Sequence, residues 1–246
     1  MAQPDPTNHP HPAIRIEDLV VRRGSTRALN GVTLSVPRGS ITGLLGPSGC
    51  GKTTLMRSVV GTQRITSGSI DVLSRPAGAK ELRGRVGYVT QAPSVYTDLT
   101  VEENVRYFAD LYRRRDLMDD SIRAVGLDDF RGRRTSQLSG GQRSRVSIAC
   151  ALVGSPEILI LDEPAVGLDP VLRAELWERF RALADTGTTL LVSSHVMDEA
   201  DHCDALVLMR EGGVIAELTP DDLRARTRQT NLEQAFLALI TERTAS

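Results

Sequence analysis

The sequence has few aromatic residues and no long apolar run. Aromatic side chains make up 4% of the 246 residues, and the single tryptophan, Trp177, is expected to serve packing. No run approaches the roughly 18 apolar residues that a membrane-spanning helix requires, and the first dozen residues contain no apolar signal core. We therefore expect a chain that does not span a membrane and is not exported.

Cysteines and net charge are also limited. The three cysteines, Cys50, Cys150 and Cys203, lie far apart without the C-x-x-C spacing of a zinc site or a disulfide framework, which fits a reducing cytoplasm. The formal net charge is -1, so no global field draws the chain to nucleic acid, and we expect no such partner. With 40% hydrophobic and 25% charged residues, the composition is that of a soluble globular protein with one compact domain and a subdomain.

A phosphate-loop pattern is the most specific feature of the chain. Residues 46–53 fit G-x-x-x-x-G-K-[ST]. The apolar run 40–45 predicts a buried strand before the loop, and Lys52–Val60 predicts a helix after it that ends at Gly61. A glycine-rich turn without a ligand is the alternative, but strand, glycines, Lys-Thr and helix in one register favour a nucleotide.

The chemistry of a triphosphate explains the residue types of this loop. Backbone N–H groups approach phosphate oxygens closely only where no side chain intervenes, and the helix directs its N-terminal amides at them. Lys52 adds a positive charge near the β/γ oxygens, and the Thr53 hydroxyl can ligate Mg²⁺. The residues expected to hold the nucleotide here are Gly46, Pro47, Ser48, Gly49, Cys50, Gly51, Lys52, Thr53 and Thr54.

Polar side chains follow three of the predicted buried strands. They are Gln91 after 86–90, Asp162 and Glu163 after 158–161, and His195 after 189–193. In open α/β sheets the carboxyl ends of the strands bind the ligand. Gln91 is a candidate to contact Mg²⁺ or the attacking water, Asp162 to hold Mg²⁺, and Glu163 to orient or deprotonate water. Charged residues that finish a surface strand, and a structural histidine, are the alternatives.

Residues 92–153 have a helical pattern. Thr100 and Glu103 predict a capping box, after which Val105, Phe108, Leu111 and Tyr112 are expected on one apolar face. The segment 138–142 reads L-S-G-G-Q, in which Ser139 and Gln142 form a second capping box. A capped helix alone does not explain Gly140 and Gly141, because each glycine costs about 0.5–1 kcal/mol relative to alanine in a helix. Bare amides at a helix start predict a second anion site.

Three further expectations concern the ends of the chain. The alternation at 14–21 and 32–36 predicts antiparallel strands before the loop. A hairpin turn is predicted at Gly212 and Gly213. The stretch 223–241 is expected to be helical, and its apolar face comprises Leu232, Phe236, Leu239 and Ile240.

Taken in order, these motifs resemble the ATP-binding subunit of an ABC transporter over residues 14–218. The resemblance implies an α/β fold: a P-loop NTPase with a RecA-like mixed-sheet core, an N-terminal antiparallel β subdomain and an inserted ABC-type helical subdomain. The implied division is a disordered Pro-rich tail at 1–12, an ATP-binding core with the β subdomain at 13–91 and 154–218, a helical subdomain with the signature motif at 92–153, and a short C-terminal helical extension at 219–246.

The resemblance also implies cofactors and roles. ATP and Mg²⁺ are the expected cofactors, with Glu163, His195 and Gln91 as catalytic residues and Thr53, Gln91 and Asp162 at the metal. His195 becomes a contact to the γ-phosphate. Each ATP is expected between the phosphate loop of one subunit and Ser139, Gly140, Gly141 and Gln142 of a second copy, in a head-to-tail homodimer.

A separate membrane permease is the implied partner. It is expected to dock on residues 92–104, so that the chain is cytoplasmic and peripheral on the inner face of the cell membrane. Residues 99–104, 194–200 and 232–237 resemble those of bacterial ABC-2 type exporter ATPases, often linked to drug or antibiotic export. An importer ATPase, an ABC ATPase acting on nucleic acid or ribosomes, and a binding-only role are the alternatives.

Two positions depart from the family pattern. Members usually carry an adenine-stacking aromatic residue just before the glycine that corresponds to Gly24, and Arg23 stands there in this chain. Arg23 can stack through its guanidinium plane, or adenine is held loosely. The second departure is Ala165 in place of the commoner threonine of D-E-P-T, and we expect little effect on chemistry.

Overall fold

The computed structural model describes residues 11–244. Most of the predicted tail at 1–12, and the last two residues of the chain, lie outside the described residues. The strands are β1 (Ile14–Arg23), β2 (Thr26–Val36), β3 (Ile41–Leu45), β4 (Ser67–Val72), β5 (Arg75–Pro76), β6 (Val86–Val89), β7 (Ile158–Asp162), β8 (Thr189–Ser194), β9 (Ala205–Arg210) and β10 (Gly213–Leu218). The α-helices are α1 (Lys52–Val60), α2 (Val101–Tyr112), α3 (Met118–Ala124), α4 (Gly140–Leu152), α5 (Pro170–Asp185), α6 (Pro220–Thr227) and α7 (Leu232–Thr244).

A six-stranded mixed sheet forms the centre, in the order β10-β9-β3-β8-β7-β6. Its strands run parallel except for β10, which pairs antiparallel with β9. Every residue of β3, β7 and β8 is buried, as expected for parallel strands covered on both faces. Because parallel strands end at one edge, the segments that follow β3, β6, β7 and β8 meet there.

The predicted antiparallel strands form a separate four-stranded sheet, in the order β2-β1-β4-β5. Ile14 pairs with Val36 and Ile16 with Leu34, so the apolar side chains of both strands face the same way. The β1–β2 hairpin is joined to the central sheet where the Asn30 amide donates to the Gly212 carbonyl at 2.8 Å. This contact places the hairpin beside the phosphate loop, so that both line the same cleft.

The helical insertion comprises α2, α3 and α4, between β6 and β7. The predicted capping box is confirmed: the Thr100 hydroxyl accepts from the Glu103 amide at 3.1 Å, and the Glu103 carboxylate accepts from the Thr100 amide at 2.8 Å. The predicted apolar face is wrong at Leu111 and Tyr112, which are 62% and 36% exposed, because α2 instead buries the stripe that contains Val105 and Ala109.

The predicted hairpin turn is one residue late. Glu211 and Gly212 have positive φ values of 51° and 77°, and Gly213 already pairs with Arg210 as the first residue of β10. Two consecutive positive φ values are the requirement of a type I′ turn, which matches the right-handed twist of the strands. The turn therefore occupies Glu211 and Gly212.

The predicted helical stretch 223–241 is found as two helices with a break at residues 228–231. Helix α6 ends at Thr227 because Arg228 takes the left-handed conformation, with φ of 56°. The Asn231 side chain then accepts hydrogen bonds from the Glu233 and Gln234 amides at 2.9 and 3.0 Å and begins α7. The predicted core positions of α7, including Leu232, Phe236 and Leu239, are buried.

Trp177 and the three cysteines lie in the interior. Trp177 packs edge-on against Phe180, with ring centroids 5.5 Å apart, which confirms its packing role. All three cysteines are unpaired and buried. Burial raises the pKa of Cys150 to about 12, so this thiol is protonated at neutral pH and inert as a nucleophile.

Candidate active site

An open cleft of about 600 Å³ lies at the carboxyl edge of the central sheet. Its walls come from the phosphate loop, the β1–β2 hairpin, the β9–β10 turn and the residues after β6 and β7. The lining residues are Arg23, Thr26, Arg27, Ala28, Ser48, Gly49, Gly51, Lys52, Thr53, Thr54, Gln91, Glu163, Glu211 and Gly212. Three predicted loop residues, Gly46, Pro47 and Cys50, are not among these lining residues.

The loop glycines serve two different purposes. A Cβ atom on Gly46 would lie 2.2 Å from the Met209 carbonyl oxygen, and one on Gly51 would lie 2.9 Å from the Ala28 carbonyl oxygen. Both glycines are therefore required by contacts within the fold. A Cβ atom on Gly49 would meet nothing within 4 Å, so its bare backbone faces open space. Gly49 is thus the position where absence of a side chain leaves room for an external group.

Lys52 is held over its own loop. Its ammonium donates to the Gly46 carbonyl at 2.6 Å and the Pro47 carbonyl at 3.2 Å, and it lies 3.9 Å from a Glu163 carboxylate oxygen. The side chain is almost fully buried, so its charge requires these partners. An arriving phosphate would compete with the two carbonyls for the same donor.

Thr53 and Asp162 meet at the end of β7. The Thr53 hydroxyl donates to the Asp162 Oδ1 atom at 3.2 Å, and the Ser193 hydroxyl donates to the same atom at 2.8 Å. Hydroxyl and carboxylate oxygens are ligands that Mg²⁺ prefers, so the pair fits the predicted metal site. No cluster of three His, Cys, Asp or Glu residues within 11–244 can hold a metal by itself. An ion bound at this pair takes further ligands from phosphate oxygens or water.

Glu163 lies at the centre of the three predicted catalytic residues. The Gln91 side-chain amide donates to the Glu163 Oε2 atom at 3.0 Å, and the His195 Nδ1 atom lies 3.3 Å from that oxygen. Glu163 has a left-handed backbone with φ of 52°, a conformation that costs a non-glycine residue about 1–3 kcal/mol. This conformation directs the carboxylate into the cleft, and the packed strands β7 and β8 sustain it.

Ser193 is a site residue that sequence reasoning missed. Its hydroxyl donates to Asp162 and accepts from the Glu163 amide at 2.9 Å, so it holds both carboxylate residues. Its position could have identified it, because Ser193 lies near the carboxyl end of a buried strand, at the same sheet edge as the phosphate loop.

The L-S-G-G-Q segment does not line the cleft of its own chain. Its predicted capping box is confirmed, since the Ser139 hydroxyl accepts from the Gln142 amide at 3.2 Å and the Gln142 side chain accepts from the Ser139 amide at 2.9 Å. A Cβ atom on Gly141 would lie 2.2 Å from a Leu168 methyl carbon, so Gly141 has a packing reason within the chain. Gly140 borders only open space.

These features define the class of protein. A loop between a parallel strand and a helix, a buried lysine, a Thr–Asp pair and a carboxylate directed into the cleft are the parts of a P-loop nucleoside triphosphatase. Along residues 11–244, none of the helices is both long enough and apolar enough to cross a lipid bilayer.

Comparison with known proteins gives the family. A family model described as ABC transporter matches residues 29–166. The chain is 37% identical over 239 residues to the probable multidrug ABC transporter ATP-binding protein YbhF of Escherichia coli (strain K12), covering 92% of this chain and 41% of that protein. It is 37% identical over 223 residues to the daunorubicin resistance ATP-binding protein DrrA3 of Streptomyces coeruleorubidus, covering 87% of this chain and 71% of that protein.

A solved structure described as the ATP-binding subunit of an ABC transporter matches with a TM-score of 0.81 and 28% identity, covering 93% of this chain and 99% of that one. The chain belongs to the ABC transporter family, as one of its ATP-binding subunits. The predicted fold class and the predicted family are confirmed. The chain spans less than half the length of the Escherichia coli relative.

Proposed function

We propose that this chain binds and hydrolyses ATP with Mg²⁺ between two copies of itself and thereby powers a separate membrane permease in the direction of export. The observation that carries the proposal is the convergence of Lys52, Gln91 and His195 on the Glu163 carboxylate beside the phosphate loop. Relatives named for multidrug transport, daunorubicin resistance and Nod factor export support the exporter assignment.

The residue roles follow from the charges and the contacts. Lys52 exchanges its loop carbonyls for the β/γ-phosphate oxygens, since a charged partner forms the stronger hydrogen bond. Thr53, Asp162 and Gln91 would hold Mg²⁺, and that ion would supply positive charge to neutralise the phosphates. Glu163 accepts a proton from the attacking water, and Gln91 and His195 keep its carboxylate directed at the γ-phosphate. We propose the same division of the chain at residues 91, 153 and 218 as the sequence predicts.

An exposed apolar face next to the L-S-G-G-Q helix supports the homodimer. Val166 and Val171 are solvent-exposed on either side of residues 167–169, and Val171 is 68% exposed. Leu168, between them, packs on Gly141. Apolar side chains beside the bare Gly140 amide suit a surface that a second copy covers while its ATP receives that amide. Ser139, Gly140, Gly141 and Gln142 then complete the partner's cleft.

Arg23 is proposed to lie on the adenine ring. The hairpin residues Arg23, Thr26 and Arg27 line the cleft together with the phosphate loop, and none of the described lining residues is aromatic. A guanidinium plane stacks on an aromatic ring, with an attraction of about 0.5–2 kcal/mol. The residue therefore replaces the aromatic side chain that the family usually places there.

Replacing Arg23 tests this contact. Arg23→Ala is expected to raise the KM for ATP by about 2- to 30-fold with kcat nearly unchanged, because ground-state and transition-state binding fall together. Arg23→Tyr is expected to restore the KM, and Arg22→Ala, whose side chain does not line the cleft, to leave it unchanged. Steady-state kinetics provide the measurement. An unaltered KM in Arg23→Ala removes the residue from the base site.

An exposed aromatic patch supports a docking site for the permease. It comprises Tyr96, Tyr107, Leu111 and Tyr112, all solvent-exposed, and the Tyr96 and Tyr107 rings lie 5.1 Å apart. Tyr112 also lines a groove of about 370 Å³ together with Val59, Val60, Leu82 and Val86. Tyr96 lies shortly after Gln91 in the chain, and the Gln91 amide donates to the Glu163 carboxylate. We propose that a cytoplasmic helix of an ABC-2 type permease occupies the patch.

Crosslinking tests the permease contact. Tyr107→Cys is expected to crosslink to a cytoplasmic loop of the membrane protein encoded beside this chain, whereas Leu237→Cys, an exposed apolar position on α7, is expected not to. The native cysteines are buried, so they contribute little background. The chain should sediment with membranes only when the permease is present. Equal crosslinking from both positions, or none from the patch, contradicts the placement.

A further inference from the structure

One buried carboxylate close to the cleft has no role in the mechanism above. Glu199 lies in the 3₁₀-helix Met197–His202, which begins two residues after His195, and is 4% exposed. Burial raises the pKa of Glu199, and the Ser194 hydroxyl and Arg173 oppose that shift. Burial of a charged carboxylate costs free energy unless hydrogen-bond donors or an opposite charge compensate it. Glu199 is therefore joined both to the turn that carries His195 and to Arg173.

Ser194 defines the turn that carries His195. Its hydroxyl accepts a hydrogen bond from the Val196 amide at 2.9 Å, so the backbone folds around His195. The Glu199 amide donates to the Val196 carbonyl at 3.3 Å and closes the next turn. Glu199 thus contacts the residues on both sides of His195, Val196 through its backbone amide and Ser194 through its side chain.

Arg173 connects Glu199 to a different loop. It lies in the first turns of α5, where its Nε atom is 3.5 Å from the Glu199 Oε1 atom and its Nη2 group donates to the Leu168 carbonyl at 3.4 Å. Leu168 in turn packs against Gly141 of the L-S-G-G-Q helix. Arg173 therefore touches the loop 167–169 and the 3₁₀-helix after His195 at the same time.

The ion pair is loose in this conformation. The Arg173 Nε atom is buried and makes no aligned hydrogen bond, although a carboxylate oxygen lies 3.5 Å away. A shift of loop 167–169 by a few tenths of an ångström would convert this contact into an aligned, charge-assisted hydrogen bond. The Arg173 Nε–Glu199 contact is therefore sensitive to the position of that loop.

We propose that Arg173 and Glu199 are positioning residues that set His195 against Glu163 according to the position of loop 167–169. Loop 167–169 lies on the face assigned above to the second copy. Closure of the dimer would therefore move the loop, and the Arg173–Glu199 pair would change the position of His195 relative to Glu163. The inference rests on the role proposed for His195. It adds two residues that do not line the nucleotide cleft.

Glu199→Gln is the first test, in the full-length chain. It preserves side-chain shape and removes the charge, and kcat is expected to fall about tenfold while the affinity for ATP changes less than about twofold. Glu157→Gln is the matched control, because Glu157 pairs with Arg85 at the start of β7, at the opposite end of the strand. Its kcat should remain that of the wild type. An unchanged kcat in Glu199→Gln overturns the proposal.

A double variant separates positioning from stability. Arg173→Met with Glu199→Leu replaces the buried pair by apolar side chains, a change that often preserves or raises stability. We expect a thermal midpoint at or above that of Glu199→Gln, with kcat still low. Recovery of kcat together with the thermal midpoint would show that the pair serves stability alone. Arg173→Lys, which keeps the charge but cannot reach both partners in the same geometry, should retain ATP affinity and lose kcat.

The last arm places Glu199→Gln in a His195→Ala background. If the pair acts through His195, the second substitution lowers kcat no further. Independent, multiplicative losses would contradict the proposed route. If His195→Ala alone leaves kcat at the wild-type value, the proposed role of His195 fails. That outcome is distinguishable from failure of the Arg173–Glu199 link, for which His195→Ala is impaired and Glu199→Gln is not.

Discussion

Glu163→Gln is expected to lower kcat for ATP hydrolysis by about 10²- to 10⁴-fold and to leave ATP affinity within about twofold of the wild type. The amide retains the size of the side chain, so the contacts to Gln91 and His195 are preserved in shape. It cannot accept a proton from water at neutral pH. The dimer should therefore close on ATP and stay closed, because the step that releases it no longer occurs.

Phosphate release and gel filtration measure the two effects. The variant with Mg²⁺-ATP should elute as a dimer, and the wild type should return to its nucleotide-free elution as ATP is consumed. Glu157→Gln, a carboxylate remote from the cleft, serves as the control and should hydrolyse ATP normally. Chelation of Mg²⁺ should abolish wild-type hydrolysis, since the Thr53–Asp162 pair then has no ion to hold. Unimpaired hydrolysis by Glu163→Gln would remove Glu163 from its assigned role.

Mixed dimers carrying Lys52→Ala and Ser139→Ala are expected to distinguish a shared site from a site within one chain. In the head-to-tail arrangement, each site takes Lys52 from one subunit and Ser139 from the other. When one subunit carries both substitutions, both sites are damaged and no nucleotide should be trapped. When the substitutions are on different subunits, both affect the same site, and the second site should trap about half the wild-type nucleotide, because distant sites act independently.

Two affinity tags allow each mixed dimer to be purified, and the measured quantity is nucleotide occluded per dimer. The two homodimers, with Lys52→Ala or Ser139→Ala in both subunits, are the controls and should trap almost none. The reverse pattern, with activity when both substitutions share a chain and none when they are separated, would contradict the sandwich. It would place the L-S-G-G-Q segment in its own chain's site.

Features that depend on near neighbours in the chain could be predicted from the sequence. The capping boxes at Thr100 and Ser139, the helix stop at Gly61 and the buried run that delivers Asp162 all involve residues within about four positions of one another or a simple period. The candidate site followed from the same source, because parallel strands end at one edge.

The errors in local prediction come from conformations that the residue type does not require. Arg228 and Glu211 adopt left-handed backbone conformations that are uncommon for non-glycine residues. Arg228 interrupts the predicted helical stretch, and Glu211 shifts the hairpin turn by one residue. The exposure of Leu111 depends on which stripe of α2 packs on α4, and both stripes are apolar in the sequence. Packing at a distance decides such cases.

The sequence by itself determined the family, the phosphate loop and the order of the candidate site residues, since each is encoded in short segments. Only the tertiary structure decided that Ser193 holds Asp162 and Glu163, that Leu168 lies against Gly141, and that Arg173 contacts both Leu168 and Glu199. Except for the one between Arg173 and Leu168, these contacts join residues about 25 to 30 positions apart, where no local pattern relates one partner to the other. These partners meet because the packing of strands and helices brings together segments that are distant in the sequence.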